Sequence, residues 1–141
     1  MKLFLLFLCL AGLVPANCDL LQFGSMIKHM TGKSSLSYNG YGCYCGLGGS
    51  KQPLDATDWC CHAHDCCYRK VSSFLCSPKL VTYKYDKSGS GIVCGSGTKC
   101  QRETCMCDKK AAECFRRTAK TYKNSYKNYP NFKCKGRRPS C

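Results

Sequence analysis

Three segments of the chain carry the pattern of helices. In residues 19–30 apolar side chains recur every three or four positions, which predicts a short amphipathic helix. These positions are Leu20, Phe23, Ile27 and Met30. Residues 55–70 and residues 99–122 contain no Gly or Pro, and we expect each to form a long helix. Asp55, followed three residues later by Asp58, is typical of a capping pair at the start of the first long helix.

The segments between the helices carry the signals of turns and of one hairpin. Glycine is dense in residues 38–53, which predicts a loop. Residues 81–85 alternate between apolar and polar side chains, with turn-forming residues at 86–91 and an apolar stretch at 92–94. This order predicts a small β-hairpin. The expected fold is therefore mainly α and ends in an irregular tail after residue 122.

The first 18 residues have the features of a secretory signal. A lysine precedes an apolar run, and small residues follow the run. The run is too short to cross a bilayer, because a membrane-spanning helix takes about 20 residues. Cleavage before Asp19 would remove Cys9 and Cys18 from a total of 16 cysteines. The even set that remains predicts seven disulfides formed in an oxidising compartment. We therefore expect a signal peptide at 1–18 and one secreted, disulfide-rich domain at 19–141.

Cysteine spacing indicates how the two long helices pair. Each carries two cysteines seven residues apart, Cys60 and Cys67 on the first and Cys107 and Cys114 on the second. Seven residues make about two turns, so each pair lies on one helical face. If the helices are antiparallel, the disulfides Cys60–Cys114 and Cys67–Cys107 form a ladder. His64 lies between the two ladder cysteines of the first helix, and Asp108 lies between the two ladder cysteines of the second. We therefore expect these two side chains to face each other.

A histidine beside a carboxylate is the first candidate for chemistry. The carboxylate fixes the imidazole tautomer and stabilises its protonated form, so His64 with Asp108 could activate water as a general base. A structural hydrogen bond is an equally good interpretation of this pair alone. Asp65 adds a second carboxylate, and a glycine-rich loop with two cysteines precedes it at 43–49. Calcium binds carboxylates together with backbone carbonyls, so the combination suggests a calcium site, although tight turns would also explain the glycines.

Two motifs together carry a family resemblance. The sequence YCGLGG occupies residues 44–49, and CCHAHDCCY occupies residues 60–68. Both resemble the secreted phospholipase A2 family, and the resemblance covers essentially the whole chain after residue 18. The tail that ends in Cys141, together with Cys66, is similar to the group II subfamily. The resemblance implies a calcium-dependent enzyme that hydrolyses the sn-2 acyl ester of glycerophospholipids at membrane surfaces.

The resemblance also implies the catalytic residues. His64 matches the family's catalytic histidine, and Asp108 matches the aspartate that supports it. Tyr68 and Tyr83 match tyrosines that hydrogen-bond to this pair. The N–H of Gly46 would be a donor to the oxyanion.

The same comparison with the family implies one catalytic calcium ion. Asp65 matches the carboxylate ligand, and the backbone carbonyls of Tyr44, Gly46 and Gly48 would complete the metal shell. The family's disulfide pattern contains the two rungs proposed above. It would further join Cys43 to Cys134 and Cys66 to Cys141.

Other residues near this constellation have plainer interpretations. The apolar residues of the first helix would be core in most proteins, and the resemblance makes some of them walls of an acyl channel. These residues are Leu20, Phe23, Met26 and Ile27. His62 has no matching role, and we expect it at the surface.

Charge indicates the partners. The chain holds 22 Lys and Arg against eight Asp and Glu, and after Glu113 nine of these cations occur with no acid. Such a run can be a solvated face, but the overall charge favours an anionic phospholipid surface or heparan-type sulfated glycans as partners. Nucleic-acid binding would explain the charge and none of the cysteines or glycines. We expect a monomer that binds no nucleic acid.

Two rival classes remain. A basic disulfide-rich protein could bind membranes, glycans or a receptor without turnover, and its sign would be the loss of His64 or Asp65, both of which are present. A zinc module could use the Cys and His side chains of residues 60–67. An oxidising compartment argues against zinc, because cysteines there form disulfides.

Overall fold

The computed structural model of the chain describes residues 19–46 and 49–141. The expected signal peptide at 1–18 and the expected metal ligand Gly48 lie outside the described residues, and both stay predictions. Within the described ranges, no helix has the length and apolar character needed to cross a membrane.

The described residues form a mainly α structure with one hairpin, as expected. The helices are α1 (Asp19–Thr31), α2 (Ala56–Val71) and α3 (Lys99–Arg117), and the antiparallel strands are β1 (Tyr85–Ser88) and β2 (Gly91–Cys94). Short 3-10 turns occupy Ser35–Ser37, Ala119–Thr121, Asn124–Tyr126 and Asn131–Lys133. The predicted N-terminal helix and both predicted long helices are thereby confirmed.

Side-chain caps explain where the long helices begin. Asp55 accepts the N–H of Asp58 at 2.9 Å before α2, but Asp58 does not return a bond to Asp55, because its carboxylate turns to the glycine-rich loop. A full capping box precedes α3. Thr98 accepts the N–H of Gln101 at 3.1 Å, and the Gln101 side chain accepts the N–H of Thr98 at 2.8 Å.

The disulfide ladder joins α2 to α3 as an antiparallel pair. Cys60–Cys114 and Cys67–Cys107 each separate the Cα atoms by 5.7 Å, which confirms both rungs. The described residues contain seven disulfides and no free cysteine. The other five are Cys43–Cys134, Cys45–Cys61, Cys66–Cys141, Cys76–Cys100 and Cys94–Cys105.

The hairpin is shorter than its sequence pattern predicts. We expected the first strand to start near Val81, but β1 starts at Tyr85. A tertiary contact prevents strand pairing before Tyr85, because the backbone of Tyr83 is hydrogen-bonded to the side chain of Gln22 on α1. The Tyr83 N–H donates at 3.1 Å and its carbonyl accepts at 2.6 Å. The alternation at 81–85 reflects the burial of Tyr83 rather than strand pairing.

The helix α3 also ends earlier than expected. It stops at Arg117, whereas the absence of Gly and Pro predicted a helix to about Tyr122. The Thr118 hydroxyl bonds to Thr57 of α2 at 2.9 Å, and a 3-10 turn follows. The Tyr122 hydroxyl then donates to the carbonyl of Ser37. These tertiary contacts end the helix at a point where the sequence has no Gly or Pro to end it.

The core lies between the helices in two clusters. One joins α1, the glycine-rich loop and α3, and includes Ile27, Tyr38, Tyr41, Tyr44 and Phe115. The other joins α1, the hairpin and α3, and includes Met26, Met30, Tyr83, Ile92 and Ala112. Each cluster is small, so the disulfides add substantially to the stability of this fold.

Candidate active site

An apolar cleft opens beside α1, between the loop and α2. Leu20, Phe23 and Ile27 of α1 line it, together with His64 and Asp65 of α2. Lys79 and the loop residues Tyr44 and Gly46 contribute to the same cleft. Met26 does not, because it is fully buried in the second core cluster. The expectation that some of these four apolar residues are channel walls therefore applies to Leu20, Phe23 and Ile27, which line the cleft.

The imidazole of His64 is paired with Asp108 across the ladder. Its Nε2 lies 2.7 Å from Asp108 Oδ1, and Asp108 is fully buried while His64 is 12% exposed. The ring stacks on Phe23 with the ring centroids 4.4 Å apart. With Nε2 directed at a carboxylate, Nε2 carries the proton and Nδ1 is the basic nitrogen. The pair thus holds a base of fixed orientation in the cleft.

Two tyrosines complete the surroundings of the buried carboxylate. Tyr68 donates to Asp108 Oδ1 and Tyr83 donates to Oδ2, both at 2.6 Å. A buried carboxylate needs such donors, because it has lost its hydration. Helix spacing paired His64 with Asp108, and the family resemblance implied Tyr68 and Tyr83 beside them. The structure brings these four side chains into one network.

Three of the four residues expected to bind calcium line the same cleft. Asp65 follows His64 on α2 and lines the cleft with Gly46 and Tyr44. One carboxylate with backbone carbonyls is a hard oxygen donor set, which suits calcium. The loop is tightly packed, since a Cβ on Gly49 would lie 2.4 Å from the Tyr44 ring. Asp65 and the loop residues Tyr44 and Gly46 therefore supply the oxygen donor types that calcium takes.

A zinc site is contradicted for the described residues. Every cysteine there belongs to a disulfide, so none is a thiolate ligand. No group of three or more His, Cys, Asp or Glu side chains in these ranges is arranged to hold a metal. A site built mainly from backbone carbonyls has no need of such a group.

Asp58 fixes the shape of the glycine-rich loop. Its carboxylate is fully buried and accepts the N–H groups of Cys43, Tyr44 and Leu54, each at 2.8 Å. Burial raises the pKa of the Asp58 carboxyl, and the three N–H bonds oppose that rise. Gly42 has φ +60°, and a Cβ on it would lie 2.4 Å from this carboxylate. The start of α2 thereby holds the loop that faces Asp65.

The sequence pattern predicted only a capping role for Asp58, and not that its carboxylate accepts three backbone N–H groups in and next to the loop. The disulfide Cys45–Cys61 ties the loop to α2 one turn beyond Asp58. A prediction of the Cys45–Cys61 disulfide from the sequence would have placed the Asp58 side chain next to the loop.

The expectation for His62 was wrong. Its side chain is buried, with 6% exposed, and its Nε2 lies 3.1 Å from the carbonyl of Pro139. The C-terminal tail, held by Cys66–Cys141, covers it. The ring of Tyr44 meets His62 edge-on, so His62 connects the tail to the glycine-rich loop.

Comparisons with known proteins agree with this geometry. The family model for phospholipase A2 matches residues 20–127. The human group IIE secretory phospholipase A2 is 57% identical, over 97% of this chain and 96% of its own length, and the mouse group IIE secretory phospholipase A2 is 53% identical over 94% of each. The basic phospholipase A2 caudoxin of Bitis caudalis is 49% identical over 87% of this chain and all of its own length. The chain belongs to the phospholipase A2 family, whose secretory members are calcium-dependent enzymes that act on phospholipid surfaces.

Proposed function

We propose that this chain hydrolyses the sn-2 acyl ester of glycerophospholipids with His64 as the general base. The observation that carries the proposal is the 2.7 Å pair of His64 and Asp108, set in an apolar cleft beside Asp65. An apolar cleft suits an acyl chain, and an oriented imidazole suits the activation of water.

His64 would first accept a proton from water and later donate it to the leaving oxygen. Its Nδ1 removes a proton from water, and the water oxygen bonds to the ester carbonyl carbon. The bond between that carbon and the glycerol oxygen then breaks, and the leaving oxygen takes the proton back from His64. Asp108 stabilises the imidazolium between the two steps. The products are a free fatty acid and a lysophospholipid.

We assign one calcium ion to the carboxylate of Asp65 and the carbonyls of Tyr44, Gly46 and Gly48. When bound, calcium supplies positive charge to the lipid phosphate and to the oxyanion. The N–H of Gly46 is the second donor to that oxyanion. Tyr68 and Tyr83 keep Asp108 in place.

The setting of this activity follows from the charge and the N-terminal sequence. Cleavage before Asp19 releases a secreted, monomeric domain at 19–141. The excess of Lys and Arg attracts an anionic phospholipid surface, and heparan-type sulfated glycans would bind the same cations.

Fatty-acid release from phospholipid vesicles tests the proposal. The mature chain should release fatty acid with calcium and stop when a chelator removes it. His64→Gln should lower the rate by about 100-fold or more, because the base is lost. His29→Gln is the control, since His29 contacts the carbonyl of Gly91 and does not line the cleft. No release by the wild type would favour the non-catalytic binding protein, and full activity of His64→Gln would reject His64 as the base.

A further inference from the structure

Two large apolar side chains lie in solvent at the turn that follows α2. Phe74 is 101% exposed and Leu75 is 87% exposed. A single exposed apolar residue is ordinary at a protein surface, whereas adjacent ones on a projecting turn concentrate apolar area in water. Leu80, a few residues later, is also exposed.

This turn is firmly held. Ser73 and Cys76 exchange backbone hydrogen bonds of 3.0 and 3.2 Å, which leaves Phe74 and Leu75 at the two central positions. Cys76 forms a disulfide with Cys100 of α3. Because the turn is already ordered, little conformational entropy opposes its insertion into another phase. We call residues 73–76 the apolar turn.

Cations flank the apolar turn on both sides along the chain. Residues 66–85 contain four Lys and Arg and no Asp or Glu. They are Arg69, Lys70, Lys79 and Lys84. An apolar tip with a cationic base fits an anionic bilayer, where apolar side chains reach the acyl boundary and cations meet phosphate headgroups. The same cations would repel a second copy of this chain.

The apolar turn adjoins the opening of the active-site cleft. Ser72 and Ser77, which flank it, line a surface depression together with Asp65. Asp65 and Lys79 also line the cleft that contains His64. A lipid surface in contact with the turn would therefore lie beside the opening through which a phospholipid enters.

We propose that Phe74 and Leu75 are a membrane anchor that inserts into anionic phospholipid bilayers beside the cleft. The inference rests on the proposed function, since it names how this enzyme holds the surface that carries its substrate. The apolar pair supplies the affinity for the bilayer interior, and the neighbouring cations supply the preference for anionic lipid.

Binding to vesicles of non-hydrolysable diether phosphatidylglycerol, without calcium, tests the anchor apart from catalysis. The double variant Phe74→Ser/Leu75→Ser should partition about tenfold more weakly than the wild type, because two apolar side chains no longer enter the lipid. Both side chains lie in solvent, so the fold should survive, as circular dichroism would check. Phe132→Ser is the matched control, since Phe132 is 84% exposed and lines neither the cleft nor the depression. Equal binding by all three proteins would overturn the proposal.

Fluorescence locates the contact. In a Trp59→Phe background, Phe74→Trp should be quenched by brominated phosphatidylglycerol, and Phe132→Trp should not. Absence of quenching at position 74 would overturn the anchor even if binding fell in the double variant.

Hydrolysis of a monomeric short-chain phospholipid separates this proposal from the proposed function. The double variant should keep the wild-type rate on monomers and lose rate on vesicles. An equal loss on both substrates would mean that the turn acts on the catalytic residues, which overturns the anchor. If the wild type hydrolyses neither substrate, the proposed function fails, while the binding result still decides the anchor. A double variant that only lowers self-association in sedimentation, with vesicle binding unchanged, would assign the turn to a second copy instead.

Discussion

At the scale of single residues, the fully buried carboxylate of Asp108 is the centre of the site. It accepts hydrogen bonds from three side chains: His64, Tyr68 and Tyr83. The two tyrosine bonds do not involve the reacting atoms, so their contribution is to hold the carboxylate rather than to move a proton. Stability and catalysis should therefore respond differently to their loss.

The first prediction concerns these tyrosines. Tyr68→Phe and Tyr83→Phe should each lower the free energy of unfolding by about 1.5–3 kcal/mol, because one hydrogen bond to a buried, charged carboxylate is lost. The rate on vesicles should fall by less than about tenfold, since His64 and its own bond to Asp108 remain. Urea unfolding and fatty-acid release measure the two effects. The double variant should lose more stability than the sum of the single ones, because both tyrosine donors to the buried Asp108 carboxylate are then gone.

The result that contradicts this view is a rate loss in either single variant as large as that of His64→Gln. Such a loss would make the tyrosine a participant in the reaction. Tyr129→Phe is a suitable control, since that tyrosine packs at the edge of the first core cluster and lies away from Asp108.

Residue spacing could predict the central pair but not its surroundings. Cysteines seven residues apart on two helices place His64 opposite Asp108, because helix geometry is regular. The burial of His62 depends on a tail that returns from more than 70 residues further along the chain. No local pattern carries such a contact.

At the scale of elements, the glycine-rich loop and the first turn of α2 form one unit. The Asp58 carboxylate accepts hydrogen bonds from three backbone N–H groups in and next to the loop. The disulfide Cys45–Cys61 joins the loop to the next turn of the helix. The loop therefore holds its shape through groups other than the carbonyls assigned to calcium. This arrangement would lower the entropy that the loop loses on binding the proposed calcium ion.

The second prediction removes that support. Asp58→Ala leaves three N–H groups without their acceptor, and each such loss costs about 1–3 kcal/mol. We expect the unfolding free energy to fall by about 3 kcal/mol or more and the calcium affinity to fall by about tenfold. Activity at saturating calcium should largely return, because Asp58 does not line the cleft. Calcium titrations of activity and of thermal stability would measure these effects.

Thr98→Ala is the matched control for that variant. Thr98 caps α3 by accepting the N–H of Gln101, and its loss should cost about 1 kcal/mol without a comparable change in calcium affinity. If Asp58→Ala changed stability and left calcium affinity unaltered, the loop would not depend on Asp58 for its binding shape.

The elements themselves were largely predictable, and their ends less so. The Asp55 cap located the start of α2 and the absence of Gly and Pro located that of α3, since these are local signals. The end of α3 and the start of β1 depend on bonds from Thr118 to Thr57 and from Tyr83 to Gln22. Such tertiary contacts override the local pattern, and the sequence marks neither of them.

At the scale of the whole molecule, two kinds of attraction would bring the enzyme to a lipid surface. The formal net charge of the full chain is +14, and about +13 remains without Lys2 of the proposed signal peptide. This charge acts over about the Debye length, which is about 10 Å at 0.1 M salt and about 3 Å at 1 M. The apolar turn acts only on contact and does not weaken with salt. The two contributions can therefore be separated by ionic strength.

The last prediction follows from this difference. The wild type should hydrolyse anionic vesicles faster than zwitterionic ones at about 0.1 M salt, and the advantage should shrink as salt approaches about 1 M. The variant Phe74→Ser/Leu75→Ser should show the same dependence on salt at a lower level of binding, because its charge is unchanged. Fatty-acid release and vesicle sedimentation across a salt series give both curves. A preference for anionic vesicles that did not vary with salt would reject charge as its cause, and would require instead a headgroup contact within the cleft.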